Sequence, residues 1–432
     1  MGAATRDGDA ARRDAGATAG GRRGRDGGSG RDGGEVWASR LEIGQGELAA
    51  RQERVQAHLR GQGLSGMVFF SSTSVFYLTG FAFIPTERPL AFILPVEGRS
   101  VLFVPRLERE HARVMGALVD DVVDYPEYPG ETHPMELLGV LLRERRLDEG
   151  IAADAPGYGS PWGYAGPKLE DVQGVPAPVV LPKLIEGHRM VKSPAEVALI
   201  RESARWGNLA HALLQDYSVP GALETDVSAR ASLEATASMM KTLGRSYEPR
   251  GGEGAGAGFR GQIGPHSANP HSITRNARLR PGNVLVTGAG ATVWGYNSEL
   301  ERTMFVGPPS AEQKRFFGHM TALQDIAFEA IRPGRPCSDV DRAVRAYFEK
   351  HDLWPYWRHH VGHALGLLGH EAPFFDIGDQ TVIEPGMVFS VEPGLYVEGL
   401  GGFRHSDTVL VRADDIELLT YYPRDLESLI CG

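Results

Sequence analysis

Residues 288–303 read Gly-Ala-Gly-Ala-Thr-Val-Trp-Gly-Tyr-Asn-Ser-Glu-Leu-Glu-Arg-Thr. The β-branched Thr292 and Val293, a Gly295-Tyr296 kink and a second short run predict paired strands rather than a helix. Side chains two apart on a strand share a face, so Glu299 and Glu301 are expected side by side on one surface. Outward from this stretch, Asn283–Thr287 predicts the preceding strand. Ser310 with Gln313 and Ser338 with Asp341 mark two capped helices, and Met387–Tyr396 and Phe403–Val411 return to strands. Upstream, Ser193-Pro194-Ala195-Glu196 is a capping box with Pro in the first turn, predicting a long helix to about Tyr217. A second helix is expected from Thr225 to about Leu243, and the Gly-rich stretch 251–264 reads as a tightly turning loop.

The front of the chain follows a different pattern. Met67–Phe70, Val75–Leu78, Leu90–Leu94 and Val101–Val104 predict strands, the last two joined by a Glu97-Gly98 turn. A helix near Glu108, another over Met135–Arg146 and a short apolar run at Ile151 complete a mixed α/β domain. Residues 1–35 hold 11 of the 55 Gly, seven Arg and six Asp or Glu, with no aromatic, Leu, Ile or Val. Such a segment cannot bury enough surface to offset its ordering entropy and is expected to be a disordered tail. The division expected is a tail over 1–35, a first domain over 36–188 and a second over 189–432, in line with a length of 432 residues.

Composition narrows the function classes. Lys and Arg number 45 against 55 Asp and Glu, a net charge of −10, which argues against a general nucleic-acid binder. The two cysteines, Cys337 and Cys431, cannot form a disulfide framework, so a reducing, cytoplasmic setting is expected. No apolar run approaches the 18 residues of a membrane span, and no membrane partner is expected.

Chemistry concentrates in the second half, where His266, His271, His359, His360, His363, His370 and His405 accompany Glu392. The ordered motifs are Pro270-His271-Ser272, then Arg280-Pro281-Gly282-Asn283, the stretch 288–303, Gly362-His363, His370-Glu371-Ala372-Pro373, Val391-Glu392-Pro393-Gly394 and Gly402-Phe403-Arg404-His405-Ser406-Asp407-Thr408. From about Lys192 onward this order resembles the pita-bread hydrolases, the family of prolidase, aminopeptidase P, methionine aminopeptidase and creatinase. The front region resembles the amino-terminal domain of the prolidase, aminopeptidase P and creatinase branches. The resemblance implies an α/β (α+β) fold: a pita-bread catalytic domain with a curved antiparallel sheet behind a creatinase-like mixed α/β domain. It also implies a homodimer and two divalent ions held by two Asp, one His and two Glu.

Laid onto this sequence, those ligand positions fall on Gly288, Glu299, His363, Glu392 and Ser406. Gly288 and Ser406 supply no anionic oxygen, so at most one divalent ion is expected, or none, with Glu299, His363 and Glu392 as a single three-ligand site. Asp407, next to Ser406, should face away by strand alternation. The expected activity is hydrolysis of a carbon–nitrogen bond in a small polar substrate, by the creatinase- or ectoine hydrolase-like chemistry that the resemblance implies, with a dipeptide substrate as the rival. His271, His363, His370, Glu392 and Glu299 are the catalytic candidates, and Arg404, His359, Glu301 and Tyr296 the substrate-binding ones. Arg404 and Glu301 each have an ion-pair reading as the rival. The alternatives are a metal-dependent Xaa-Pro peptidase, a dimethylsulfoniopropionate lyase on the same fold, and a non-catalytic binding module. Cys337, just before a helix, reads as an inert small residue.

Overall fold

The computed structural model describes residues 41–147 and 150–432; the expected tail lies outside them. The front half comprises helix α1 (Gln45–Gly61), β1 (Gly66–Phe69), α2 (Ser72–Thr79), β2 (Ala91–Pro95), β3 (Val101–Pro105), α3 (Arg109–Val114), β4 (Asp121–Tyr125), α4 (Pro134–Glu144), β5 (Ile151–Ala153) and β6 (Val179–Val180). Its six strands form one mixed sheet in the order β4-β3-β2-β1-β5-β6. Both faces of the inner strands β1, β2, β3 and β5 are buried because these strands are apolar at successive positions, while β4 and β6 at the edges are partly or fully exposed. Val68, Ile93 and Phe103 join the cluster under α4, while Met67, Phe69, Phe92 and Leu102 join the one under α1.

One sequence expectation fails here. Val75–Leu78 is helical, inside α2, instead of a strand. Ser71 caps this helix by accepting from the Ser74 N–H, and Asp154 accepts from the Phe70 and Ser71 N–H groups. With every residue from Ser74 to Thr79 buried, the run carries no amphipathic period for a sequence reading to detect.

The second half begins with α5 (Leu184–Met190), α6 (Pro194–Tyr217) and α7 (Glu224–Leu243) and continues into β7 (Gly254–Gly258), β8 (Val284–Val286), β9 (Gly288–Val293), β10 (Tyr296–Asn297), β11 (Leu300–Glu301) and β12 (Thr303–Val306). Helices α8 (Ala311–Ala330) and α9 (Ser338–Lys350) lead into β13 (Gly362–Ala364), β14 (Glu371–Phe375), β15 (Val388–Val391), β16 (Gly394–Val397), β17 (Gly401–Arg404), β18 (Ser406–Val411), β19 (Ile416–Leu418) and β20 (Ile430–Cys431). The main sheet runs β10-β9-β11-β18-β15-β13-β14, with β7 added to β9 and β19 to β18; all its pairings are antiparallel. The capping box at Ser193 is present, and Ser310 forms another with Gln313. At α9 the expectation is corrected: Cys337 is the N-cap residue and Ser338 the first helical one, with no side-chain cap.

The Gly-rich stretch is also corrected, since 254–258 is strand rather than loop. Gly254, Gly256 and Gly258 face Thr292, Gly290 and Gly288 across the β7–β9 ladder, while Ala255 and Ala257 face Ala291 and Ala289. The alanine face is buried and the glycine face open, which leaves a shallow groove over bare backbone. The outer edge of β7 would be an unpaired template. Helix α7 covers it with hydroxyls one turn apart: Ala255 N–H donates to Thr236 Oγ1 (3.0 Å) and Ala257 N–H to Ser232 Oγ (3.0 Å), and the same hydroxyls donate back to the two carbonyls.

Arg302, fully buried, holds β11 against β18. Its five N–H donors reach Pro423 O, Glu301 O, Ser406 O, Tyr422 O and Asp407 Oδ1, each at 2.8–2.9 Å. Asp407 also accepts from Gln324 and Thr420, so it points away from the surface that carries Glu301, as alternation requires. Replacing Arg302 by Leu leaves Asp407 charged and buried without its cation, at an expected cost of about 3–5 kcal/mol. Denaturant unfolding measures this, and Arg302→Leu with Asp407→Leu together should recover much of the loss. A loss well under 1 kcal/mol for the single variant contradicts the assignment.

Candidate active site

Strands β11, β13, β15 and β18 lie in adjacent positions of the main sheet, and each delivers one or more polar side chains to the same face. His363 sits in β13 opposite Ser390 of β15, Glu392 follows the end of β15, and Glu301 of β11 lies opposite Ser406 of β18. Ligand-capable atoms of Glu299, Glu301 and Glu392 lie within 4.8 Å of one another, as do those of Glu299, His363 and His370. The site is therefore a carboxylate triad with a buried imidazole against it.

His363 is completely buried, and its Nδ1 lies 3.1 Å from the carbonyl of Ala364. A carbonyl accepts only, so Nδ1 carries a proton, and Nε2 presents a lone pair only when the ring is neutral. Nε2 stands 3.2 Å from Glu392 Oε1 and 3.9 Å from Glu299 Oε2, yet it has no hydrogen-bond partner. Two donors bound to one cation at about 2.0–2.2 Å are separated by about 3–3.6 Å. His363 and Glu392 have that spacing and Glu299 stands a little wider, so the site offers the donor types and the orphaned nitrogen that a single divalent ion takes. Two ions do not fit: Gly288 and Ser406 offer no carboxylate, and Glu299 Oε1 already accepts from the hydroxyls of Ser390 (2.6 Å) and Ser406 (2.9 Å).

Burial opposes charge on His363, but Glu392 and Glu299 outweigh it and raise the imidazole to about 9. Burial likewise favours the neutral form of Glu392, and His363 with Arg404 overcomes it, holding that carboxyl well below its usual range. Glu301 is pushed up to about 7 by burial, against the pull of Arg404. His370 is exposed and stacks on His363 with centroids 3.7 Å apart and planes 17° from parallel; burial of part of its ring and the neighbouring His363 lower it.

Several residues expected to bind substrate are otherwise occupied. Arg404 is buried, donates to Glu301 through Nε and Nη2, and donates to Tyr396 Oη at 2.9 Å; the ion-pair reading holds for it and for Glu301. His359 Nδ1 faces the His360 carbonyl (2.7 Å), so Nε2 accepts from Tyr396 Oη (2.8 Å). No ring nitrogen is left for a ligand, and burial lowers this imidazole to about 4. Tyr296 is buried away from the triad, donating to Glu196 at 2.7 Å. His271 is exposed on the loop before β8, with no side-chain partner among the described residues, and the groups of converging ligand atoms do not include it. His266 sits beside Arg275, and His405 is a core ring packed edge-on to Phe317. Cys337 is buried, its thiol pushed up to about 12.

Two contributors escape a reading of the sequence. Ser390 shares a strand face with Glu392 two residues on, a signal that alternation does contain. Arg260 reaches Glu301 Oε1 at 2.8 Å from a loop, where nothing periodic marks it.

Residues 198–413 match the family described as metallopeptidase family M24, and residues 51–157 match the creatinase/prolidase N-terminal domain. A Mycobacterium tuberculosis protein named probable dipeptidase PepE is 30% identical over 91% of this chain and 96% of its own length. The crystal structure of dipeptidase PepE from Mycobacterium ulcerans is 28% identical with a TM-score of 0.72, covering 89% of this chain and 98% of that one. The Xaa-Pro dipeptidase of Bacillus anthracis, at 22% identity and a TM-score of 0.74 over 88% of this chain and 99% of that one, shares the fold. Among the described residues, no helix is long and apolar enough to cross a membrane.

The raised imidazole generates a pH test. In ion-free protein His363 holds a proton until about pH 9, so its pairing contributes stability fully below the ordinary value of 6.5 and loses it as pH rises through about 9. An incoming cation must displace that proton. Zn2+ affinity should therefore rise by about tenfold per pH unit from neutrality toward pH 9, with one proton released per ion, measured by calorimetry in two buffers of different ionisation enthalpy. A pH-independent affinity contradicts the assignment.

Proposed function

This chain belongs to metallopeptidase family M24, and from that membership we propose that it hydrolyses dipeptides at a site holding one divalent cation between Glu299, His363 and Glu392. At the coarser level it is a peptidase-type hydrolase of the creatinase and Xaa-Pro peptidase superfamily. The observation that carries the finer reading is the buried Nε2 of His363, without a hydrogen bond, facing two carboxylates.

A divalent ion bound there supplies Lewis acidity toward a scissile carbonyl. The chain's own groups do the rest. Ser390 and Ser406 hold Glu299 Oε1, which turns Oε2 toward His363. His370, exposed and with its basicity lowered, is placed to take a proton from the attacking water and return it to the departing nitrogen. Glu301, Arg404, Tyr396 and His359 form one connected chain behind Glu392, fixing the wall against which substrate is positioned.

A second reading is favoured by the raised imidazole. Without an ion, the His363 proton balances Glu299 and Glu392, and the site takes a small cationic substrate and cleaves its carbon–nitrogen bond, as in creatinase-like chemistry.

Metal content and turnover separate the readings. Purified protein should retain one divalent ion per chain and cleave a dipeptide panel, and chelation should abolish cleavage. His363→Ala should lose both ion and activity; His370→Ala should keep the ion and lose about 10²–10⁴ in kcat. Two tightly held ions per chain refute the single-ion site, whereas chelator-resistant cleavage of a small amidine or guanidine supports the second reading.

A further inference from the structure

Arg260 adopts a left-handed backbone conformation, φ 50°, which a non-Gly residue keeps only where its surroundings impose it. That conformation lays the guanidinium over Gly288, where Nη2 would lie 3.9 Å from a Cβ and Glu301 Oε1 3.5 Å from it. An aspartate at 288 would aim its carboxylate into the space Arg260 uses. The missing ligand and the inserted cation are therefore one arrangement: a fixed organic cation stands beside Glu301 where a second metal has nothing to hold it.

The charge of Arg260 is not used up in this contact. Glu301 is already met by Nε and Nη2 of Arg404, so two guanidinium groups share one carboxylate. Arg260 spends only Nη2, on Glu301 at 2.8 Å and Gln262 Oε1 at 3.4 Å. Its Nε and Nη1 have no partner among the described residues, and its side chain is 52% exposed. Arg260 lines an open groove of about 390 Å³ whose floor is the glycine face of β7 and β9, with Gly256, Gly288 and Gly290 on it and Glu299 at its side. Bare backbone admits a ligand close to the sheet, and a planar guanidinium with two free edges recognises a carboxylate.

We propose that Arg260 binds a carboxylate of the substrate in the glycine-floored groove and so selects ligands with a free carboxyl terminus. Only the identity of that carboxylate, the C-terminus of a dipeptide, rests on the hydrolase reading. Arg260 lies beside Glu301 and holds the far end of the substrate while the reacting bond sits at Glu299 and His363.

Binding without turnover tests this. L-alanine, L-leucine and L-proline and their carboxamides are titrated by calorimetry into holoprotein, wild type and the variants Arg260→Ala and Arg260→Lys. Wild type should bind each acid at least about tenfold more tightly than its amide, since a charge-assisted pair is lost. The preference should vanish in Arg260→Ala and survive in part in Arg260→Lys. Because Arg404 still neutralises Glu301, both variants should keep the wild-type unfolding midpoint and ion content. With dipeptides, Arg260→Ala should raise KM at least about tenfold and leave kcat within about threefold. Equal affinity for acid and amide in wild type, or an undiminished preference in Arg260→Ala, overturns the proposal. A wild type that hydrolyses no dipeptide yet prefers the acid overturns the dipeptidase reading alone.

Discussion

Three carboxylates within 4.8 Å of one another, two of them buried, are the constraint around which the second half of this chain is organised. In a medium that solvates charge poorly, like charges at that distance either take up protons or acquire cations. Arg404 and Arg260 both pair with Glu301, Arg404 also lies 3.8 Å from Glu392, and His363 lies against Glu392 and Glu299. Each cation comes from a different segment: a strand, a loop and a second strand. The sheet must close in one register for the charges to cancel, so the site and the strand order β11-β18-β15-β13 specify each other.

The same constraint bears on Gly288 and Ser406, the two positions where the resemblance implies an acid and this sequence has none. At Ser406 a hydroxyl replaces an acid, and with Ser390 it donates to Glu299 Oε1. Two neutral donors there serve one carboxylate oxygen, a contact that adds no negative charge to be balanced. At Gly288 the side chain is gone, and Arg260 covers the position. One deletion is met by hydrogen bonds and the other by a cation, and together they remove the negative charge that would hold a second ion. The Nε2 of His363 stays without a hydrogen bond, which neither device supplies.

Much of this was legible in the sequence because it depends on local periodicity. The capping boxes at Ser193 and Ser310 and the alternation that turns Asp407 away from Glu301 follow from spacing, while the convergence of Glu299, His363 and Glu392 is what the resemblance to the pita-bread hydrolases implies. What was not legible depends on partners distant in the chain. Helix α2 replaces an expected strand because Asp154 and Ser71 satisfy its start. The Gly-rich stretch becomes β7 because β9 offers a matching glycine face and α7 a row of hydroxyls. Arg404, His359 and Tyr296 carry the residue types of binding groups, yet each is saturated by a neighbour 8 to 103 residues away. Residue type alone cannot distinguish a free guanidinium from a paired one.

The two arginines at Glu301 make that distinction physical. Arg404 is 3% exposed and bonded through all three nitrogens to Glu301 and Tyr396; removing it would strand a buried carboxylate, so it belongs to the framework. Arg260 meets the same carboxylate from the solvent side, half exposed and with two nitrogens unspent. A residue that stabilises the interior is expected to satisfy its donors there. Arg260 leaves most of its hydrogen-bonding capacity unspent at the wall of a groove, in a backbone conformation that costs free energy to maintain. Stability of the sheet does not account for that orientation, whereas recognition of a ligand carboxylate does.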